Sequence, residues 1–411
     1  MWGCRAVVAA FLGLTSAAVA APAPDAVIGR YADMAAAIYG DSAAKARDLQ
    51  SAVNAFLAHP DAGTLTAARN AWKAARVPYL QTEGFRFANS VVDDWEPKVN
   101  AWPLDEGLID YVAPSYGTTS DQNPLYTLNV IGSTKLRIGA KMVDATTIDT
   151  ALLRSLQEAE GVQANVSTGF HAIEFLLWGQ NLKGLSGGAG ERPPSDYDPA
   201  HCTHGNCARR AAYLKAASDL LVADLDEMAA DWRAGGKARA ELTAKGNDGG
   251  LSDILTGLGS LTFGEMTGER MKLGLMLHDP EEQQDCFSNN THNSHYYDEI
   301  GIGQIWRGEY AGAAGPNLRG YAASLDPAAA KRMDGALAAA LAAIARMKDA
   351  AESGKMAYSQ MIAAGNADGN KMVQDAMDAL VAQTRAIEAV AASLHLKVNS
   401  GKSDHAGSAL K

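Results

Sequence analysis

Residues 169–179 read Gly169-Phe170-His171-Ala172-Ile173-Glu174-Phe175-Leu176-Leu177-Trp178-Gly179. On a helix, His171 and Glu174 stand at i and i+3 and share one face, with Cβ atoms roughly 5–6 Å apart. The other positions are apolar on nearly every side, and a helix that is apolar all round is buried. Burying an imidazole and a carboxylate is costly unless each is paired or bound to a cation. Gly169, at the start of the helix, leaves room for a close approach by another backbone or a ligand. The stretch therefore predicts a central helix wrapped by others, with chemistry at His171 and Glu174.

Outward from that helix, alanine-rich segments with apolar residues three and four apart dominate, and alternating strand patterns are scarce. Helices are expected over Ala26–Leu57, Thr64–Phe87 with a kink at Pro78, and Thr147–Glu160, with the central helix as the fourth. After a Gly/Pro/Ser-rich stretch the pattern resumes over Ala208–Trp232, Leu251–Leu277, Pro327–Glu352 and Asp368–Leu396. Asp326-Pro327 is a good helix start, an acidic cap followed by proline in the first turn. The fold class is all-α, with two four-helix-bundle-like domains and long polar connectors over Asn89–Pro124 and Asp279–Gly308. The expected division is a signal peptide over 1–20, an N-terminal bundle over 21–183, and a linker loop over 184–207. A C-terminal bundle over 208–400 and a disordered tail over 401–411 complete it.

Arg5, the apolar run Ala6–Leu14 and the small residues Ala18-Val19-Ala20 form an export signal cleaved near Ala20. That run is too short for a lasting anchor, and no later apolar stretch is long enough to span a bilayer. Ala21 stands where a lipoprotein would carry Cys, so the mature chain is expected in the periplasm or cell envelope without a transmembrane segment. The whole chain carries a net charge of −11, which disfavours nucleic acid and anionic lipid as partners and tolerates cations. In an oxidising compartment Cys202 and Cys207 are expected to form a local disulfide. The rival is a metal site built from His201, Cys202, His204 and Cys207. Cys286 is left odd.

Other polar residues fall where they bear on His171. Trp72, Arg76, Tyr79 and Glu83 form one stripe of the second helix, either facing solvent or lining an interior site. Asp105 lies among apolar residues in Trp102–Tyr111. Glu265, Glu269 and Arg270 lie on adjoining turns of one helix. His292 and His295 follow in the segment Asp285–Asp298, which is rich in Asn, Ser and Thr. Such composition suits a capped, hydrogen-bonded connector as well as a site.

The string NVSTGFHAIEFLLWGQ (165–180), with its GxHxxE pattern, resembles the imelysin family, also called insulin-cleaving membrane protease-like proteins. WPLDEGLIDYV (102–112) and DCFSNNTHNSHYYDEIGI (285–302) are similar to the family's other blocks, particularly in the iron-regulated protein A branch. The resemblance implies two helical bundles with the GxHxxE site near their interface, an envelope location and a link to iron uptake. It implies His171 and Glu174 as the functional pair and Gly169 as the close-approach residue; Phe170 stands where the family pattern has Tyr.

On these residues the expected ligand is a divalent or ferric metal ion or an iron complex, iron first and zinc second. His171 and Glu174 would hold it, with Glu83 or Asp105 completing the set. Arg76, Glu269, Arg270, His292 and His295 would support it. The expected partner is an envelope iron-transport component. A metallopeptidase with His171 and Glu174 as catalytic residues is the alternative, although a zinc hydrolase wants about three protein ligands and a separate base. A non-catalytic module binding a ligand or partner in the cleft is the third reading.

Overall fold

The computed structural model describes residues 21–403, so the expected signal peptide and residues 404–411 lie outside the described residues. The longer helices, numbered in chain order, are α1 (Pro24–Ala58), α2 (Ala62–Leu80), α3 (Gly169–Trp178) and α4 (Cys207–Asp231). They are followed by α5 (Gly246–Ser260), α6 (Thr291–Arg307), α7 (Pro327–Glu352) and α8 (Ala367–Ser393). Two short antiparallel hairpins, Lys135–Ile138 with Lys141–Asp144 and Glu309–Tyr310 with Ala313–Ala314, are peripheral. The fold is all-α.

Local chemistry fixes several ends. Asp61 accepts a hydrogen bond from the Thr64 amide at 2.8 Å, and the Thr64 hydroxyl accepts from the Asp61 amide at 3.2 Å, a reciprocal cap on α2. Asp326 accepts from the Ala328 and Ala329 amides, with Pro327 in the first turn of α7 as expected. Pro78 does not kink a helix that runs on to Phe87. It sits in the last turn of α2, which closes at Leu80 and passes into a short 3-10 turn, Glu83–Phe85. The segment expected as a helix over 147–160 is helical only at Thr150–Leu156.

By packing, α1 lies along both α2 and α4, and α3 fits against α2 and α4; α5, α6, α7 and α8 form the second group. The stretch 184–207, expected to separate the halves, instead connects two helices that pack on each other. It folds back onto α3, where the Arg192 amide donates to Trp178 O at 2.8 Å. The groups meet where α6 crosses the end of α2. There a Cβ on Gly301 would stand 2.6 Å from Gln81 O, so only glycine permits that approach. Buried apolar residues from both groups form one continuous cluster.

α6 replaces much of the expected connector over Asp279–Gly308. Its buried face carries His292, His295, Asp298 and Glu299 together with Ile302 and Trp306. The inward stripe has helical spacing but is largely polar, which hides it from a reading based on apolar periodicity. The start of the expected disordered tail is ordered: Lys402 Nζ donates to Phe87 O, and Ser403 donates to Glu269 at 3.0 Å.

Candidate metal centre

All ten residues of α3 are buried, as its composition predicts. Burial of each large apolar side chain contributes roughly 1.5–3 kcal/mol, enough to hold two polar groups in the same helix. Gly169 has φ of +83°, and a Cβ there would stand 2.4 Å from Val99 O. The close neighbour is thus the backbone of the short helix Pro97–Asn100, which fixes where α3 begins and so where His171 and Glu174 project.

His171 Nδ1 lies 3.1 Å from Glu174 Oε2 and 3.9 Å from Asp285 Oδ1. The three side chains offer ligand atoms that all fall within 4.8 Å of one another, and each is buried. Asp285 comes from the segment before α6, more than a hundred residues from α3 along the chain. Arg76 on α2 donates to Asp285 Oδ1 at 2.9 Å and to Asn100 at 2.6 Å. Ser294 and Asn290 donate to the other oxygen of Asp285, and the Ser288 amide donates to Glu174 Oε1 at 2.8 Å. Both carboxylates are therefore oriented by groups outside the triad.

The electrostatics favour a neutral imidazole. Burial and the nearby Arg76 guanidinium push the pKa of His171 down to about 3. Burial and the neighbouring Asp285 raise Glu174 well above the usual carboxylate range. Burial opposes ionisation of Asp285 too, but Arg76, His171 and the hydrogen bonds from Ser294 and Asn290 outweigh it and hold its pKa below the ordinary value. His171 Nε2 is buried with no hydrogen-bond partner among the described residues. A neutral imidazole, one firm carboxylate and a second carboxyl that a cation could ionise form a mixed N/O donor set of the kind that borderline metals accept.

The other expected residues divide. Arg76 reaches the centre through Asp285. Glu83 lies in a second buried cluster, where Arg270 donates to Glu83 at 2.8 Å, Asp298 at 2.9 Å and Glu265 at 3.2 Å. Arg270 belongs to a π-helical stretch, Leu261–Lys272, that continues α5. Its wider turn aligns residues five apart, so Glu265 pairs with Arg270 while Glu269 faces Ser403. Asp105 lies apart from the triad and accepts from Asn123 at 2.5 Å. His295 is fully buried with both ring nitrogens unpartnered and its ring edge against Tyr358. His292 is buried and lines a cleft that adjoins the centre. The two clusters join through buried side chains: Arg76 to Asn100, Asn100 to Glu96, Glu96 to Arg86, and Arg86 to Glu83.

The triad member not expected as a ligand is Asp285. It stands in the place expected for Glu83 or Asp105, and its one local signal is an acid opening a polar segment beside Cys286 and Phe287. Elsewhere, Cys202 and Cys207 form a disulfide, so they are not available as thiolate ligands, and Cys286 is buried and free.

Residues 35–387 match the family described as peptidase M75, imelysin. Iron-regulated protein A of Synechococcus elongatus is 37% identical over 71 residues, 17% of this chain and 20% of that protein, so the match spans about a fifth of the relative's length. Two crystal structures share the fold. One, from Parabacteroides distasonis and described as an iron-regulated protein A precursor, has a TM-score of 0.62 at 16% identity, covering 91% of this chain and 96% of its own. The other, an imelysin-like protein from Psychrobacter arcticum, has a TM-score of 0.59 at 16% identity, covering 93% of this chain and all of its own. With the family match extending from within α1 to within α8, the chain belongs to the imelysin family.

Proposed function

We propose that this protein binds a metal ion, iron first and zinc second, and serves iron acquisition in the cell envelope. His171, Glu174 and Asp285 are the ligands, and the ion is cargo rather than a catalytic cofactor. The observation that carries this reading is the convergence of three buried ligand atoms, from a neutral His171 imidazole and the Glu174 and Asp285 carboxyl groups, within 4.8 Å of one another. Without a cation the site leaves polar capacity unused in an apolar helix, which costs stability. With one, a lone pair and two oxygens are satisfied together. Arg76 and the Ser288 amide then act as positioning groups that aim the carboxylates.

The link to iron comes from the relatives described as iron-regulated protein A. An envelope location agrees with the export signal in the sequence and with the Cys202–Cys207 disulfide. No helix among the described residues is long and apolar enough to cross a membrane.

Metal analysis of untagged protein equilibrated with micromolar iron or zinc tests the reading. Wild type should retain about one equivalent, and His171→Ala and Asp285→Asn should lose it while keeping their helical circular dichroism. Wild type that retains none sinks the proposal. The family's description as a peptidase favours a second reading, hydrolysis at the same triad. A hydrolase would cleave an unstructured polypeptide and lose that activity in Glu174→Gln. We prefer binding because both carboxyl groups are engaged in holding the site, which leaves no separate base.

A further inference from the structure

Where the stretch 184–207 folds back onto the C-terminal end of α3, it encloses a pocket of about 410 Å³, a size usual for small-molecule sites. The walls are largely aromatic or apolar, with Tyr111, Val112, Pro114, Trp178 and the exposed Leu182 among them. None of the three triad residues lines this pocket, so its occupant is recognised apart from the metal centre.

Two polar groups on the lining have unused hydrogen-bonding capacity. His204 is half exposed, with its ring stacked on Tyr111 at 4.5 Å. Its Nδ1 lies 2.7 Å from Asp196, which also accepts from the Tyr111 and Thr203 hydroxyls, each at 2.6 Å. Burial opposes the charge on Asp196, but the bonds from His204, Thr203 and Tyr111 outweigh it and hold its pKa below the ordinary value. A carboxylate only accepts, so Nδ1 carries the hydrogen. Nε2, on the side of the ring away from buried Asp196, makes no hydrogen bond among the described residues. The second group is Arg192, whose Nε is buried without a partner. A Cβ on Gly179, another lining residue, would stand 3.5 Å from that nitrogen, so the glycine leaves the donor uncovered.

The charges of the lining are already matched. Arg192 meets Asp110 at 2.7 Å and Asp196 at 3.1 Å, and Lys183 meets Glu191 at 2.7 Å. An ionic ligand would find no countercharge to replace its water, and the net charge of −11 further opposes an anion. Aromatic walls favour a flat ring. A hydroxyl both donates and accepts, so it suits an imidazole nitrogen and an idle N–H alike. We propose that this pocket binds a neutral aromatic alcohol, with its ring against Tyr111 and Trp178 and its hydroxyl on His204 Nε2. The Cys202–Cys207 disulfide closes the loop that carries His204 and so holds that nitrogen in place.

Equilibrium dialysis of the untagged protein with β-naphthol, naphthalene and β-naphthoate, each followed by its fluorescence, tests this. Wild type should retain β-naphthol at submillimolar concentration and bind the anionic β-naphthoate more weakly. His204→Asn keeps an amide donor for Asp196 but has no atom at the Nε2 position. In that variant the affinity for β-naphthol relative to naphthalene should fall roughly fivefold, the worth of one hydrogen bond, while naphthalene binds as it does to wild type. A ratio that His204→Asn leaves unchanged overturns the hydroxyl contact, even if both ligands weaken together. Failure of wild type to retain β-naphthol, or tighter binding of β-naphthoate, overturns the proposal as a whole.

Discussion

Two buried polar clusters lie on one chain of contacts, and they are built on opposite principles. Around Arg270 every guanidinium nitrogen has a carboxylate: Nε meets Glu265, Nη1 meets Asp298 and Nη2 meets Glu83. Burial opposes the charge on Arg270, yet Asp298, Glu265 and Glu83 together hold its pKa well above the usual arginine value. Around His171 the balance is left incomplete, with a neutral imidazole, a carboxyl disposed to stay protonated and a ring nitrogen without a partner. A cleft lined by Arg76 and Ser288 adjoins the second. The Arg270 guanidinium is met on every nitrogen, although burial pushes Asp298, like Glu174, well above the usual carboxylate range; what sets the His171 cluster apart is the convergence of three ligand-type atoms.

The contrast can be broken by substitution. Arg270→Met should be the most damaging change, because it strands three buried acids at the junction of the two helix groups. A loss of about 3–5 kcal/mol is expected, read as a lower denaturant midpoint. A loss under about 1 kcal/mol would show that the cluster is not structural. Gly169→Ala comes next: the positive φ alone costs about 1–3 kcal/mol, and the contact with Val99 O adds to it. If that variant is as stable as wild type, α3 is not anchored as described.

Acid should reveal the depressed histidines. Burial, reinforced by Arg270, pushes His295 down to about 3, whereas in the unfolded chain it titrates near its ordinary 6.5. Between those values the unfolded state binds the extra proton, so His295 costs stability as pH falls through this window, by roughly 1 kcal/mol per pH unit. His171 and His292, the latter lowered to about 4 chiefly by burial, act in the same direction. His295→Phe should flatten the pH dependence of unfolding between pH 6 and 4 by close to one proton, and an unchanged slope would count against a neutral buried His295. The smallest effect is expected for His171→Leu in metal-free protein, within about 1 kcal/mol of wild type, because it removes a polar group that is only partly satisfied. Metal retention by that variant should nonetheless vanish. A large loss of stability there would move the His171 site into the structural class with Arg270.

Much of this was legible in the sequence where the signal is local. The composition of residues 169–179 demands burial whatever surrounds it, and i, i+3 spacing sets His171 beside Glu174. Gly169 reads as a close-approach residue, and Asp326-Pro327 reads as a helix start, because capping involves neighbours in the chain. α6 was not legible. Asn, Ser, His and Gly are poor helix formers, and its inward stripe is polar, so propensity and periodicity both point away from a helix. The pairing of Glu265 with Arg270 was hidden for a related reason: on an α-helix neither Glu265, five positions away, nor Glu269, next in the chain, shares a face with Arg270, and only the π-helical turn brings Glu265 alongside.

By itself, then, the sequence determined an all-α chain with a central apolar helix carrying a histidine and a glutamate, because those properties depend on residues within one or two turns of each other. Tertiary structure alone decided that Asp285 rather than Glu83 or Asp105 completes the triad. It also decided that Arg76 serves Asp285, that Glu83 belongs to Arg270, and that a cleft lined by Arg76 and Ser288 adjoins the centre. Each of these joins segments far apart in the chain. Such pairings follow from how whole helices pack, which no local pattern of residues encodes.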